Sequence, residues 1–175
     1  MDKIDSLLKE LTLEEKVSIL SGSDAWHTTP VERLAIPRIK MTDGPNGARG
    51  DGSSKVSSAC YPNGSAIAST WDLELIESLG KSLGREARSK DADVLLGPTI
   101  NIHRHPLGGR HFECYSEDPV LTGDVTVAYV KGVQSERVVA CIKHFVGNDT
   151  EFQRHTVSSN IKPRPLREIY LLPLE

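Results

Sequence analysis

Five consecutive apolar residues, Val138 to Ile142, run directly into Lys143 and His144. Three of the five are β-branched, and a run of that length and type reads as a strand covered on both faces, the usual condition inside a parallel sheet. Parallel neighbours need crossover connections, generally helical, so this segment asks for helices and further buried strands earlier in the chain. They are there. Asp93-Val94-Leu95-Leu96-Gly97 is a second compact apolar run, and in Ile36–Thr42 the residues Ile39 and Met41 alternate with polar neighbours before the turn Asp43-Gly44-Pro45. Between the strands, Leu73, Ile76, Leu79, Leu83 and Ala87 recur at helical spacing, which predicts a helix over 72–88 with Thr70 or Asp72 as N-cap. A second helix carries Val125, Ala128, Tyr129, Gly132 and Val133.

Strand, long loop and helix in repeated order define a parallel α/β fold. At the N-terminus Ile4, Leu7, Leu8 and Leu11 share one helical face, and Thr12 with Glu15 forms a capping box for a second helix through Leu20, ended by Gly22. At the other end Pro165 opens a helix that continues to Leu174, with Ile169, Leu171 and Leu172 apolar. The stretches Asp43 to Thr70 and Pro98 to Pro119 lack periodicity and read as loops. Loops longer than about 12–15 residues inside a domain generally carry function. In parallel folds functional groups gather beyond the carboxyl ends of the strands, the places taken here by Asp43, the Arg110 loop and Lys143-His144.

Charge narrows the partner. Lys plus Arg number 21 against 24 Asp plus Glu, a net charge of −3, which supplies no basic field for a nucleic acid or an anionic membrane, so a polyanionic partner is not expected. Met1-Asp2-Lys3-Ile4-Asp5 places acids where a secretory n-region would carry bases, no apolar h-region follows, and no run approaches the about 18 apolar residues of a membrane span. A soluble, cytoplasmic protein is expected. Cys60, Cys114 and Cys141 fit neither a zinc knuckle nor a closed disulfide set and read as reduced thiols. His103, His105, His111, His144 and His155 match no closed tetrahedral spacing, so no metal is expected. Trp71, at a helix start, is expected in the core; Trp26 stays open between core residue and sugar-stacking platform.

Three segments carry the chemistry: Met41-Thr42-Asp43-Gly44-Pro45-Asn46-Gly47-Ala48-Arg49, then Gly108-Gly109-Arg110-His111-Phe112-Glu113-Cys114-Tyr115-Ser116-Glu117-Asp118-Pro119, then Ile142-Lys143-His144-Phe145-Val146-Gly147-Asn148-Asp149. In this order, with Arg154 following and Leu166-Arg167-Glu168-Ile169-Tyr170 closing, they resemble family 3 glycoside hydrolases of the β-glucosidase branch, from about Leu7 to Glu175. The resemblance implies an α/β fold of the (β/α)8 TIM-like barrel type. A full barrel takes about 250 residues, so residues 1–175 are expected to be its front half, the N-terminal part of a barrel domain cut short. By the same resemblance Asp43, Arg49, Arg110, Lys143, His144 and Arg154 line the subsite for the non-reducing sugar, a β-glucoside or glucose. The implied activity of the intact enzyme is hydrolysis of terminal β-D-glucosyl residues with net retention, without a cofactor.

The residue types make sense on their own. A pyranose presents hydroxyls that both donate and accept, which an acceptor such as Asp43 and donors such as Arg49, Arg110 and Lys143 can fix in place. A Lys directly after a buried strand needs a carboxylate or polar ligand waiting for it. Glu113, Glu117 and Asp118 are expected to cap the next helix and brace the loop. A retaining glycosidase also needs two carboxyl groups about 5–5.5 Å apart; by resemblance these come from a Ser-Asp-Trp type motif and a Glu later in the chain. Neither motif occurs in these residues, and Ser23-Asp24-Ala25-Trp26 is a lookalike placed before the first strand. Val146-Gly147-Asn148-Asp149 stands where the N-acetylglucosaminidase branch would carry a His-Asp pair. The chain alone is therefore expected to lack turnover. The alternatives are an inactive sugar-binding or interaction module, and a self-sufficient hydrolase pairing Asp43 with Asp149 or Glu151. An open sheet edge over an apolar face leads us to expect poor folding of the isolated 175 residues.

Overall fold

Local capping chemistry sets the first two helices. The structure, a computed structural model, describes residues 3–50 and 57–175. Helix α1 spans Lys3–Glu10 and α2 spans Leu13–Ser21. Between them the Thr12 hydroxyl accepts from the Glu15 N–H at 3.2 Å while the Glu15 carboxylate accepts from the Thr12 N–H at 2.9 Å, the reciprocal box read from the sequence.

Strands β1 (Met41–Asp43), β2 (Val94–Leu96) and β3 (Val139–Ala140) form a parallel sheet in the order β1-β2-β3, with Thr42, Leu95 and Ala140 in register. Pairing resumes beyond β3, where the Lys143 N–H donates to the Pro98 carbonyl at 2.9 Å and the Ile100 N–H to the Lys143 carbonyl at 2.7 Å. That continuation holds the Lys143-His144 pair beside the loop after β2.

The crossovers are α4 (Leu73–Ser89) and α5 (Pro119–Ser135), each with its own acidic cap. Asp72 accepts from the Leu75 N–H at 3.0 Å, and Asp118 from the Val120 N–H at 2.8 Å. Ile76, Leu83 and Ala87 of α4 meet Val125, Tyr129 and Val133 of α5 and Leu95 of β2 in one core, all at 1% exposure or less. The helices approach closely because Gly80 and Gly132 face each other: a Cβ on Gly132 would strike the Glu77 carbonyl, and one on Gly80 would lie 2.5 Å from the Tyr129 carbonyl. Together these elements are a partial α/β barrel, three parallel strands with their helices on one side. Among the described residues no helix is long and apolar enough to cross a membrane.

Four expectations need correction. The segment Asp43 to Thr70 is not all loop, since α3 (Gly64–Ala68) forms behind Asn63, whose side chain accepts from the Ala66 N–H at 2.9 Å. The run Val138–Ile142 is not covered on both faces: Val138 is buried, but Val139 is 55% exposed and Cys141 is exposed, because the helices pack on one face only. Trp71 is 72% exposed rather than in the core, turned outward by a left-handed backbone (φ 55°) between α3 and α4. The C-terminal helix starts at Pro163, ahead of Pro165, and is irregular: a turn over Pro163–Pro165 leads into a wide turn over Leu166–Tyr170, where the Leu171 N–H reaches the Leu166 carbonyl, and then a tight turn over Leu172–Leu174.

Candidate functional site

The loops that leave the three strands converge on one cleft of 610 Å³, walled by Asp43, Arg49, Arg110, Phe112, Glu113 and Arg154 among others. Asp43 ends β1, and the chain turns sharply at Gly44 (φ 126°), where a Cβ would collide with the Gly47 carbonyl. The turn brings the Arg49 guanidinium onto Asp43 Oδ2, and Lys143, arriving from beyond β3, donates from Nζ to Asp43 Oδ1 at 2.7 Å. Burial alone would raise the Asp43 carboxyl; the bonds from Lys143 and Arg49 outweigh it and hold the group below its ordinary range. Asp43 is thus an anion between two cations.

A second cluster lies around Arg110. Its Nε binds Glu113 Oε1, its Nη1 is 3.3 Å from His144 Nε2, and Glu151 stands 3.8 Å away. Glu113 is 8% exposed, and its other oxygen accepts from the Thr99 hydroxyl at 2.9 Å. Burial opposes ionisation of Glu113, but Arg110, Thr99 and Lys143 prevail and lower it. The Glu113 bond likewise raises the Arg110 guanidinium. His144 is shifted down, first by burial and then by Arg110 and Lys143, with Glu113 and Glu151 pulling the other way. Arg154 joins the cleft through Glu151, donating to its Oε2 at 2.9 Å, while Asn148 donates to Oε1 at 3.1 Å.

The structure therefore brings all six residues singled out from the sequence into one constellation. Asp43, Arg49, Arg110 and Arg154 stand on the cleft wall; Lys143 and His144 reach it through Asp43 and Arg110. Glu113 braces Arg110, Asp118 caps α5, and Glu117 is exposed. Asp24 of the lookalike motif holds a local turn, accepting from the Trp26 N–H at 2.8 Å and facing His27; Trp26 is half-buried. Asp149 belongs to a different cleft, of 320 Å³, where it accepts from the Tyr170 hydroxyl at 2.6 Å. The His103 and His111 rings lie 5.1 Å apart at a tilt of 35°, and His103 Nε2 contacts the His111 carbonyl, while His111 Nε2 is buried without a hydrogen-bond partner among the described residues.

Sequence reasoning missed the supports. Glu86 stands in the last turn of α4 and Lys90 at its C-cap, and the sequence singles out neither. In the structure Lys90 is buried, its Nζ binding the Ala48 carbonyl and the Ser58 hydroxyl, and Glu86 accepts from the N–H groups of Ala48 and Ala59. Tyr129 of α5 donates to the Pro45 carbonyl at 3.0 Å. Asn101 clamps His144 by bonds to its N–H, its carbonyl and its ring. Only the polarity of Asn101 in an otherwise apolar Ile100–Ile102 stretch hinted at it.

Residues 10–175 match the family described as Glycosyl hydrolase family 3 N terminal domain, and the chain belongs to that family. It is 59% identical to a β-glucosidase of Rhizobium radiobacter, covering 98% of this chain and 21% of that protein. It is 57% identical to probable β-glucosidase J of Aspergillus fumigatus, covering 98% of this chain and 20% of that one. Among solved structures, β-glucosidase from Kluyveromyces marxianus in complex with glucose superposes with a TM-score of 0.95 at 50% identity, over 99% of this chain and 21% of that chain. β-Glucosidase 3B from Thermotoga neapolitana in complex with glucose superposes at 0.91 and 42% identity, over 99% and 27%. The chain spans about a fifth of the length of the curated relatives it matches.

Proposed function

We propose that residues 1–175 are the N-terminal part of a β-glucosidase barrel domain, and that the cleft between its strand ends grips the terminal β-D-glucosyl unit of a β-glucoside, or free glucose. The observation that carries this reading is the convergence of Asp43, Arg49, Arg110 and Arg154 on one cleft, with Lys143 and His144 bonded directly behind them. Its volume falls in the range of about 300–1,000 Å³ usual for small-molecule sites. Four cationic side chains, Arg49, Lys143, Arg110 and Arg154, are each paired with one of three carboxylates, Asp43, Glu113 and Glu151, which leaves one net positive charge and offers a polyol both donors and acceptors. Mutual ion pairs hold the donors and acceptors in place before a ligand arrives, so little ordering entropy is left to lose on binding. The complexes with glucose formed by the two bacterial and yeast relatives support the same ligand class.

In the intact enzyme this reading places the sugar for double displacement with net retention, which needs a nucleophilic carboxylate and a general acid and no cofactor. Both groups lie outside these residues. Asp43 and Glu113 are held below the ordinary carboxylate range, the opposite of what a general acid at neutral pH requires. A self-sufficient hydrolase pairing Asp43 with Asp149 is disfavoured because Asp149 lies in a different cleft, bonded to Tyr170, and Glu151 is already engaged by Arg154 and Asn148; on this reading the chain by itself binds sugar without cleaving it.

Titration calorimetry with glucose tests the proposal. Asp43→Ala removes a charged acceptor and weakens binding by about 1.5–3 kcal/mol, roughly 10- to 150-fold; unchanged affinity removes Asp43 from the site. Turnover of a chromogenic β-glucoside by the purified 175-residue protein would overturn the assignment of bond cleavage to residues elsewhere.

A further inference from the structure

We infer that Asn101 is a positioning residue for this cleft, fixing the His144 ring as the neutral tautomer with its proton on Nδ1 so that Nε2 offers a lone pair toward Arg110 and the cleft. A backbone N–H can only donate and a backbone carbonyl can only accept. The His144 N–H lies 3.1 Å from one side-chain atom of Asn101 and the His144 carbonyl 3.1 Å from the other, so the first is the amide oxygen and the second the amide nitrogen. The amide cannot be turned over without breaking both bonds.

That same amide oxygen, which carries no hydrogen, is 3.0 Å from His144 Nδ1, and therefore Nδ1 carries the proton. On the far side of the ring Nε2 is 3.3 Å from Nη1 of Arg110, a side chain with five donors and no acceptor, so Nε2 carries the lone pair. Two partners on opposite sides of the ring, Asn101 and Arg110 of the loop after β2, select the same tautomer. A doubly protonated ring would aim an N–H at a guanidinium. The charged groups acting on the ring are Arg110 and Lys143, which oppose protonation, and Glu113 and Glu151, which favour it; with burial added the balance is a neutral imidazole. Asn101 is itself only 4% exposed, so its amide has no competing water to turn toward. In consequence His144 acts as an acceptor that helps aim Arg110, and its role is not that of a second cation.

The tautomer can be measured without any sugar. In two-bond ¹⁵N–¹H correlation spectra of the ¹⁵N-labelled protein at neutral pH, with the His144 signals assigned by their loss in His144→Gln, the pattern of a protonated Nδ1 and a bare Nε2 is expected. The reverse pattern, or exchange between the two, overturns the inference. The consequence for binding rests on the glucose-binding reading and has its own readout. Asn101→Asp puts a carboxylate against Nδ1–H and raises the His144 pKa, so the ring gains its proton at a higher pH than in the parent. The glucose Kd of that variant should rise about tenfold between pH 8 and pH 6, one pKa unit corresponding to a factor of ten, while the parent changes less than about threefold. Parallel pH profiles for variant and parent overturn the inference. Should the variant not fold, the parent tautomer still decides the matter. A parent with protonated Nδ1 that binds no glucose upholds the role of Asn101 and overturns the sugar reading instead.

Discussion

Thr42 and Asp43 are neighbours in the chain, yet Thr42 is fully buried and Asp43 stands on the wall of a cleft. The same step separates Leu95, fully buried, from Leu96, and Val138, 1% exposed, from Val139, 55% exposed. Side chains on a strand alternate between faces, so each of these short strands presents one residue set to α4 and α5 and the other to the opposite side. The helix face is a finished core, and the opposite face is open, with the ionic site at its rim. Stability and chemistry are thus divided by a single residue of register, and a slip of one position would exchange them. The helices nonetheless serve the chemistry at a distance, because Glu86, Lys90 and Tyr129 reach past the sheet to hold the loop that follows Asp43.

The largest effect expected from this division is on the helix face. Leu95→Ala removes a fully buried side chain at the middle of the sheet, where Tyr129, Val125 and Ile76 share the same core. The loss should be about 2–5 kcal/mol, read from the urea midpoint. A cost below about 1 kcal/mol would mean that the core between sheet and helices collapses easily around the gap, and the contrast between the faces would fail.

What the sequence revealed follows the range of the interactions. The Thr12–Glu15 box and the Asp72 cap depend on residues three apart, and both were legible. The six candidate site residues came from the family resemblance and not from a local rule; the structure brings them into one constellation, although Arg154 lies well beyond the end of β3. The Asn63 cap of α3 also acts over three residues, but five helical residues are too few for periodicity to announce a helix. Burial of the Val138–Ile142 run was misread because an apolar pattern tells that a strand wants cover and not which face receives it. Asn101 and Glu86 were illegible for another reason. Their partners lie 43 and 38 residues away, brought near by the parallel crossovers, and polar residues in a loop or on a helix surface carry no local sign of such contacts.

A middle-sized effect is expected at the rim. Glu113→Gln deletes the charge and one acceptor oxygen: the amide oxygen can keep Arg110 while the amide NH2 donates to the Thr99 hydroxyl, which can accept as well as donate; with charged hydrogen bonds contributing about 1.5–3 kcal/mol against 0.5–1.5 for neutral ones, the cost should be about 1 kcal/mol at pH 7. The pH dependence fixes the sign. Glu113 is held below its unfolded value in the folded protein, so its contribution is complete above the ordinary carboxylate range and fades as pH falls through that range toward its lowered folded pKa. The difference between parent and Glu113→Gln should accordingly shrink on going from pH 6 toward pH 3. A gap that widened on acidification would show that burial, and not Arg110, governs Glu113.

The smallest effect belongs to the open face. Val139→Thr conserves shape and exchanges a methyl for a hydroxyl at a position more than half exposed, opposite Val94 and away from both helices. A hydroxyl that keeps its water costs little, and the urea midpoint should move by no more than about 0.5 kcal/mol. The value of the measurement lies in its failure. A hydroxyl deprived of water without a partner costs about 1–3 kcal/mol, so a loss of that size at Val139 would mean that this face is covered in solution. Sedimentation and urea midpoints at several concentrations then separate the two ways of covering it: a mass above that of one chain with a loss that fades on dilution points to a second copy, and a single-chain mass with a loss independent of concentration points to a rearrangement within the chain.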